Sequence, residues 1–299
     1  MQDNNDHHAK GLLLTAIGGL ALTVDIPLIR LAKGEPWSIL MVRTGATFFA
    51  ALVIWAIWRW ITPKAPPLLP GWTGAVVAIL YGLGSITFVI GIYNTSTANL
   101  VFILAFNTAF AALLSWIFLE QRPQPVTLVA MGAMILGVLI IVYDSIGSGN
   151  VFGDVMALCS AFLIASAITI SRHSGKDMGF TALIGVVFPF LVAAFVVADT
   201  GSYRIDAPWW IIFNGAVVMP ISFYCLATGP RFISGPEVAM FYLLETVLAP
   251  VWVWMIFAET PTTASLIGGS ILIVALVAHS LWQLHDGRRR RAAGNFRHV

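Results

Sequence analysis

Residues 117–123 read IFLEQRP, and residues 256–261 read IFAETP. Each phrase ends an apolar run, sets a glutamate just past it and turns on a proline into the next apolar run. Nearly half of the 299-residue chain separates the two glutamates, Glu120 and Glu259. A turn phrase repeated at that distance points to an internal duplication, and such a period decides a fold before any single element does.

The repeat extends beyond the phrase. Residues 11–35, GLLLTAIGGLALTVDIPLIRLAKGE, align with residues 153–177, GDVMALCSAFLIASAITISRHSGKD, at an offset of 142. Gly11 then meets Gly153, Arg30 meets Arg172 and Glu35 meets Asp177. Trp72 and Trp210 open corresponding runs, and GAMIL at 132–136 matches GGSIL at 268–272, pairing Gly132 with Gly268.

Composition names the solvent. The chain is 59% hydrophobic and 10% charged, with a mean hydropathy of +0.87. A soluble domain is nearer half apolar and a quarter charged, and disorder needs low hydrophobicity. An integral membrane protein remains. A net charge of +2 gives no basis for nucleic-acid binding. Cys159 and Cys225 sit in apolar runs and read as small buried hydrophobes, not as a disulfide or metal framework. The first apolar run lacks a small-residue cleavage site and reads as a retained span.

A spanning helix needs about 20 mostly apolar residues. Ten runs qualify: 11–32, 37–60, 71–92, 98–119, 125–143, 152–173, 179–199, 208–228, 236–257 and 263–284. An even number puts both termini on one side, and cytoplasmic loops carry the excess of Lys and Arg. Placing the termini inside assigns twelve basic residues to the cytoplasm and three, Arg30, Lys33 and Arg204, to the outside. All eleven tryptophans fall toward span ends, as an interfacial aromatic belt requires.

The expected fold is an all-α integral membrane protein of ten transmembrane helices. They form two inverted five-helix repeats around a central cavity, with both termini cytoplasmic. Residues 1–10 are a cytoplasmic segment, 11–146 the first repeat, 147–284 the second and 285–299 a basic cytoplasmic tail, whose Arg288–Arg291 run enforces topology or meets anionic lipid. Five is odd, so the second unit enters the membrane upside down. Two similar halves can exchange conformations, and a central site then opens alternately to either side.

The 5+5 arrangement, with LE-QRPQP-…-MGAMILGVLI and AE-TP-…-IGGSILIVALV after the fourth and ninth spans, resembles the drug/metabolite transporter superfamily. More narrowly it resembles the ten-helix EamA-type exporters, and within them the YddG-type exporters of aromatic amino acids. The resemblance covers about residues 11–284. It implies a basket of helices 1–4 and 6–9 around a cavity, helices 5 and 10 peripheral, and export of small metabolites across a bacterial inner membrane. The second half departs from the pattern by a shorter loop after Glu259 and by Ile273 where the first half has Gly137.

Ionisable groups inside a span are expensive and usually functional. Three stand out: Asp25, Arg43 and Glu245. None is repeated, since they align with Ala167, Gly185 and Phe106. Asp25 and Arg43 match in depth, so they read as a pair: a structural ion pair, a gate or a carboxylate-binding arginine. Glu245 falls near the midplane and reads as a proton carrier, as the acceptor of a substrate ammonium or as a hydrogen-bonded contact between helices. Tyr242 and Ala249 share its stripe. Phe106, Asn107, Tyr81, Ser85 and Tyr224 are further midplane candidates, and Pro27, Pro189, Pro220 and Pro250 are expected to interrupt four spans. A zwitterionic amino acid would set its ammonium at Glu245, its side chain against Phe106 and its carboxylate toward Arg43.

Rival readings are a passive channel, which wants a continuous polar stripe, and an intramembrane enzyme, which wants a catalytic constellation. No HExxH, GxSxG or phosphate loop is present, and no cofactor or metal is expected. The partners expected are a small-molecule substrate and the lipid bilayer. Proton coupling and a homodimer stay open. The topology has a direct test. A cysteine at Ser148, between the fifth and sixth spans, is expected to react with an impermeant thiol reagent in intact cells. Labelling only after permeabilisation would reverse the orientation.

Overall fold

The computed structural model describes residues 2–62, 68–120, 122–176, 178, 180–228, 233 and 235–295. Lys64, Asp177, Arg231 and the side chains of the tail arginines lie outside the described residues, and with them the reading of the tail. Ten helical spans follow one another: Ala9–Leu31, Pro36–Ile61, Gly71–Asn94, Thr97–Leu119, Pro125–Ser148, Val151–Ser174, Thr181–Thr200, Pro208–Leu226, Met240–Phe257 and Thr263–Asp286, numbered spans 1 to 10. Each is long and apolar enough to cross a bilayer, so the chain is a multi-pass, all-α membrane protein.

Contacts between loops sort the two faces. The loops after spans 1 and 7 meet in an antiparallel bridge between Gly34 and Ile205, with the Glu35 N–H donating to the Arg204 carbonyl at 2.9 Å. Thr95, after span 3, donates to Asp154 at the start of span 6 at 2.6 Å. Thr262, after span 9, donates to Asp144 near the end of span 5 at 2.7 Å. The odd-numbered loops therefore share one face. On the opposite, terminal face Lys176, after span 6, donates to the Pro70 carbonyl at 3.2 Å, before span 3.

The duplication is written into the backbone. Left-handed residues end spans 1 and 6 at Lys33 (φ 47°) and Gly175 (φ 61°), an offset of 142. They end spans 4 and 9 at Glu120 and Ala258, both at φ 54°, an offset of 138. Lys33, Glu120 and Ala258 carry a Cβ in a conformation that favours glycine. The IFxE phrases thus align one position differently by sequence and by backbone. Glu120 is itself the helix cap, whereas Glu259 lies just beyond its cap.

The two halves differ in where their helices break. Span 1 divides at Thr23–Val24, span 4 at Phe106, span 7 at Val186, and span 8 carries a π-helical turn over Asn214–Val218. Their counterparts, spans 6, 9, 2 and 3, run unbroken. Proline explains three of the four breaks. Pro27, Pro189 and Pro220 remove the N–H that would reach the fourth residue upstream and crowd its carbonyl; those residues, Thr23, Gly185 and Ala216, lie at or beside the breaks. Pro250 does not interrupt its span as expected: the helix Gly235–Phe257 continues through it. Span 4 breaks without a proline.

Spans 5 and 10 pack on each other. Their close approach falls between Gly137 and Gly268, not at Gly132: a Cβ on Gly268 would stand 2.6 Å from the Gly137 carbonyl oxygen, and Gly132 has nothing within 4 Å. Cys159 is exposed on span 6, not buried as its apolar setting suggested, while Cys225 is buried. Gly268→Ala is expected to lower stability in detergent by about 1–3 kcal/mol through overpacking, read as an earlier thermal transition. Gly132→Ala should leave the transition unchanged or raise it.

Candidate transport site

The Asp25–Arg43 pair forms, and a third residue closes it. Arg43 Nη2 donates to Asp25 Oδ2 at 2.8 Å and to Oδ1 at 3.1 Å, while Arg43 Nε donates to Asn214 Oδ1 at 3.1 Å. Asn214 Nδ2 in turn donates to Asp25 Oδ1 at 2.7 Å and to the Asp25 backbone carbonyl at 3.3 Å. The ring of three joins spans 1, 2 and 8. Asp25, Arg43 and Asn214 are 2%, 7% and 0% exposed, so the ion pair is dry. Met219 Sδ and the Phe88 ring, 5.6 Å from the guanidinium, complete the surroundings, and Nη1 has only a long 3.4 Å contact with Ser85 Oγ.

Local structure prepares this ring. The break in span 1 puts Asp25 at the start of the short helix Asp25–Leu31. The π-turn puts Asn214 at the head of a widened loop of backbone, and π-bulges accumulate at functional sites. Gly215 follows, where a Cβ would collide with the Arg43 carbonyl, so spans 2 and 8 touch backbone to backbone there. Measured along their helices, all three side chains lie six or seven residues in from the odd-loop face, roughly 10 Å deep by helix rise.

A second layer lies deeper. Glu245 is twelve residues from the Phe257 end of span 9, roughly 18 Å in by helix rise. It lies within electrostatic reach of Asp25 and Arg43, and Tyr242 lies within reach of both Tyr81 and Glu245. Among the described residues Glu245 has no hydrogen-bond or ion-pair partner, yet part of its surface stays accessible. It is an uncommitted carboxylate near the middle of the bundle, beside an arginine already held by two partners.

On the odd-loop face an ion pair ties helix ends together above both layers. Arg30 Nη1 meets Glu259 Oε2 at 2.6 Å, the other Glu259 oxygen accepts from the Thr97 backbone N–H at 2.7 Å, and Arg30 Nη2 makes a long 3.4 Å contact with the Ile92 carbonyl. These contacts link the ends of spans 1, 3, 4 and 9. Outside them a hollow of about 620 Å³ is lined by Arg30, Lys33, Glu35, Tyr93, Arg204 and Asp206, among others. A hollow of about 540 Å³ against Tyr143 and Ala264 is a groove between spans 5 and 10 and does not reach either layer.

Not every candidate joins these layers. Ser85 touches the ring, and Tyr81 and Tyr242 neighbour Glu245. Phe106 sits at the break of span 4, where its ring packs edge-on against Phe110 at 4.9 Å, and Phe110 against Phe162 of span 6 at 5.4 Å. Asn107 is half-buried and has no side-chain hydrogen bond among the described residues. Tyr224 is not a midplane group: it lies four residues from the Thr228 end of its helix, 44% exposed and 6.2 Å from the Trp58 ring. Trp252 is not a simple belt residue either, since its Nε1–H donates to Thr23 Oγ1 at the break of span 1. Asn214 is the member of the ring that the sequence reading missed. Its signal was present: an amide six residues into an apolar run, at the depth of Arg43.

Compared with known families, the chain matches the EamA-like transporter family over residues 9–143 and again over 151–281. It belongs to the EamA-like transporter family. The two matches begin at an offset of 142 and end at one of 138, the offsets that the left-handed residues show. This EamA-like chain is 21% identical over 219 residues to an uncharacterized transporter of Synechocystis, covering 67% of the chain and 62% of that protein. It is 25% identical over 162 residues to solute carrier family 35 member F4 of mouse and human, covering 47% of the chain and 33% and 31% of those proteins. The chain therefore spans less than two thirds of the length of these relatives. A solved crystal structure shares the fold with a TM-score of 0.65 at 14% identity, over 92% of this chain and 98% of its own.

Asn214→Leu leaves Arg43 Nε and Asp25 Oδ1 each short of a buried partner. An unsatisfied buried group costs about 1–3 kcal/mol, more when charged, so folded yield and thermal transition should both fall. Asn107→Leu serves as the comparison and should change neither by more than about 0.5 kcal/mol.

Proposed function

We propose that this EamA-like protein is a secondary transporter that exports small amine-bearing metabolites, amino acids including aromatic ones among them, by alternating access. What carries the reading is Glu245: a half-buried carboxyl group, without a hydrogen-bond or ion-pair partner among the described residues, near the middle of the bundle, where a transporter of inverted repeats keeps its site. The substrate ammonium takes Glu245. Tyr81 and Tyr242 offer aromatic surface beside it, which suits an aromatic side chain and a cationic head.

Arg43 enters differently from a free binding arginine. Its Nε and Nη2 are occupied by Asn214 and Asp25, and only Nη1 retains donor capacity. Its part is to bound the site on the odd-loop side and to offer one N–H to a substrate carboxylate. Export is the direction that the resemblance to EamA-type exporters implies.

Proteoliposomes loaded with radiolabelled amino acids, with and without a pH gradient, test the proposal. Glu245→Gln keeps the shape and removes the charge. It should purify as folded protein and lose about 10–100-fold of the transport of zwitterionic substrates, the range for one charge-assisted hydrogen bond. Wild-type net transport by this variant at every pH would contradict the assignment.

A further inference from the structure

We propose that Glu120 and Arg172 form the second gate of this transporter, the inverted counterpart of the Arg30–Glu259 gate, and that the two are made alternately. The proposal rests on alternating access. It does not depend on which substrate is carried.

The counterpart is found by applying the repeat to the closed contact. Arg30 stands three residues before the left-handed Lys33 and Arg172 three before the left-handed Gly175, at the ends of spans 1 and 6. Glu259 follows the left-handed end of span 9, and Glu120 forms that of span 4. The ion pair between spans 1 and 9 on the odd-loop face therefore maps onto a pair between spans 6 and 4 on the terminal face. The mapping covers the backbone as well. Glu259 accepts from the N–H of Thr97, which opens the first helix of span 4. At the offset of 138 that relates spans 4 and 9, Thr97 maps onto Gly235, which opens the helix of span 9. The first N–H groups of a helix have no partner within it, so the Gly235 N–H is the corresponding donor.

One pair is made and the other is not. Arg30 and Glu259 meet at 2.6 Å, whereas Glu120 and Arg172 are both exposed and neither has an ion-pair partner among the described residues. Two equivalent gates in different states are what an inverted repeat produces when it rests in one of its two conformations. In the other conformation Glu120 and Arg172 come together, Glu120 receives the N–H at the start of span 9, and Arg30 releases Glu259. Unpaired in the present state, the two side chains are solvated and cost little. Paired, they close the terminal face.

The experiment uses the full chain with Cys159→Ser and Cys225→Ser, carrying either Arg30→Cys with Glu259→Cys or Glu120→Cys with Arg172→Cys, oxidised with copper phenanthroline in proteoliposomes. Both pairs should cross-link. The first should do so readily without substrate, the second more slowly. Either cross-link should stop transport, and reduction should restore it. Charge reversal supplies an independent reading: Glu120→Arg alone should lower transport at least about fivefold, as loss of a coupling of ordinary size does, and adding Arg172→Glu should recover most of it. A Glu120–Arg172 pair that never cross-links in folded, transporting protein, or a reversed pair no better than the single variant, would overturn the proposal. Cross-linking of both pairs without amino acid transport would leave the gates standing and remove the substrate assignment.

Discussion

An arginine and an aspartate removed from water cost several kcal/mol each, and only close contact with further hydrogen bonds offsets this. The membrane core leaves no alternative, because lipid supplies no partners. The Asp25–Arg43–Asn214 ring meets that constraint by matching each charged group to the other and to an amide, and much of the architecture serves it. Span 1 breaks so that Asp25 can head a short helix. Span 8 widens into a π-turn so that Asn214 can face both partners. Gly215 is bare so that spans 2 and 8 can close to backbone contact. Spans 1 and 2 belong to the first repeat and span 8 to the second, so the ring fastens one half to the other.

The ring also sets what lies on either side of it. Outward stands the Arg30–Glu259 ion pair; inward stands Glu245, deeper and without a partner among the described residues. With Arg43 committed to Asp25 and Asn214, the carboxyl group of Glu245 is left without a hydrogen-bond or ion-pair partner among the described residues. The helix breaks fall on spans 1, 4, 7 and 8 and spare their counterparts, so every pair of equivalent spans in the basket has one rigid and one jointed member. Bending at a few joints while the partner stays straight is a means by which two packed arrangements of one chain can interconvert.

Much of this was legible in the chain. Ten apolar runs and an offset between the halves that drifts only from 142 to 136 need only hydropathy and alignment, and the offset survives in the folded backbone at Lys33 and Gly175. Asp25 and Arg43 announced themselves because charge in an apolar run is rare. Asn214 did not, because a single amide among apolar residues is usually interhelical glue, and its value depends on a π-turn that no local pattern forecast. Pro250 and Phe106 mark the opposite limits. A proline was accommodated without a break, and a break arose without a proline, because packing by neighbouring helices decides whether a freed carbonyl bends the chain. Tyr224 was misjudged in depth: it lies four residues from the Thr228 end of its helix, well past the middle of a span that opens at Pro208.

Whether Asp25 and Arg43 hold each other in a dry site is measured by a double-mutant cycle. Thermal stability in detergent should fall strongly in Asp25→Asn and in Arg43→Gln, by about 3–5 kcal/mol each, since each single change strands a buried charge. The double variant, which strands none, should recover most of the loss. A double variant destabilised by the sum of the two singles would mean that the charges act independently, and the ring would not be what joins the halves.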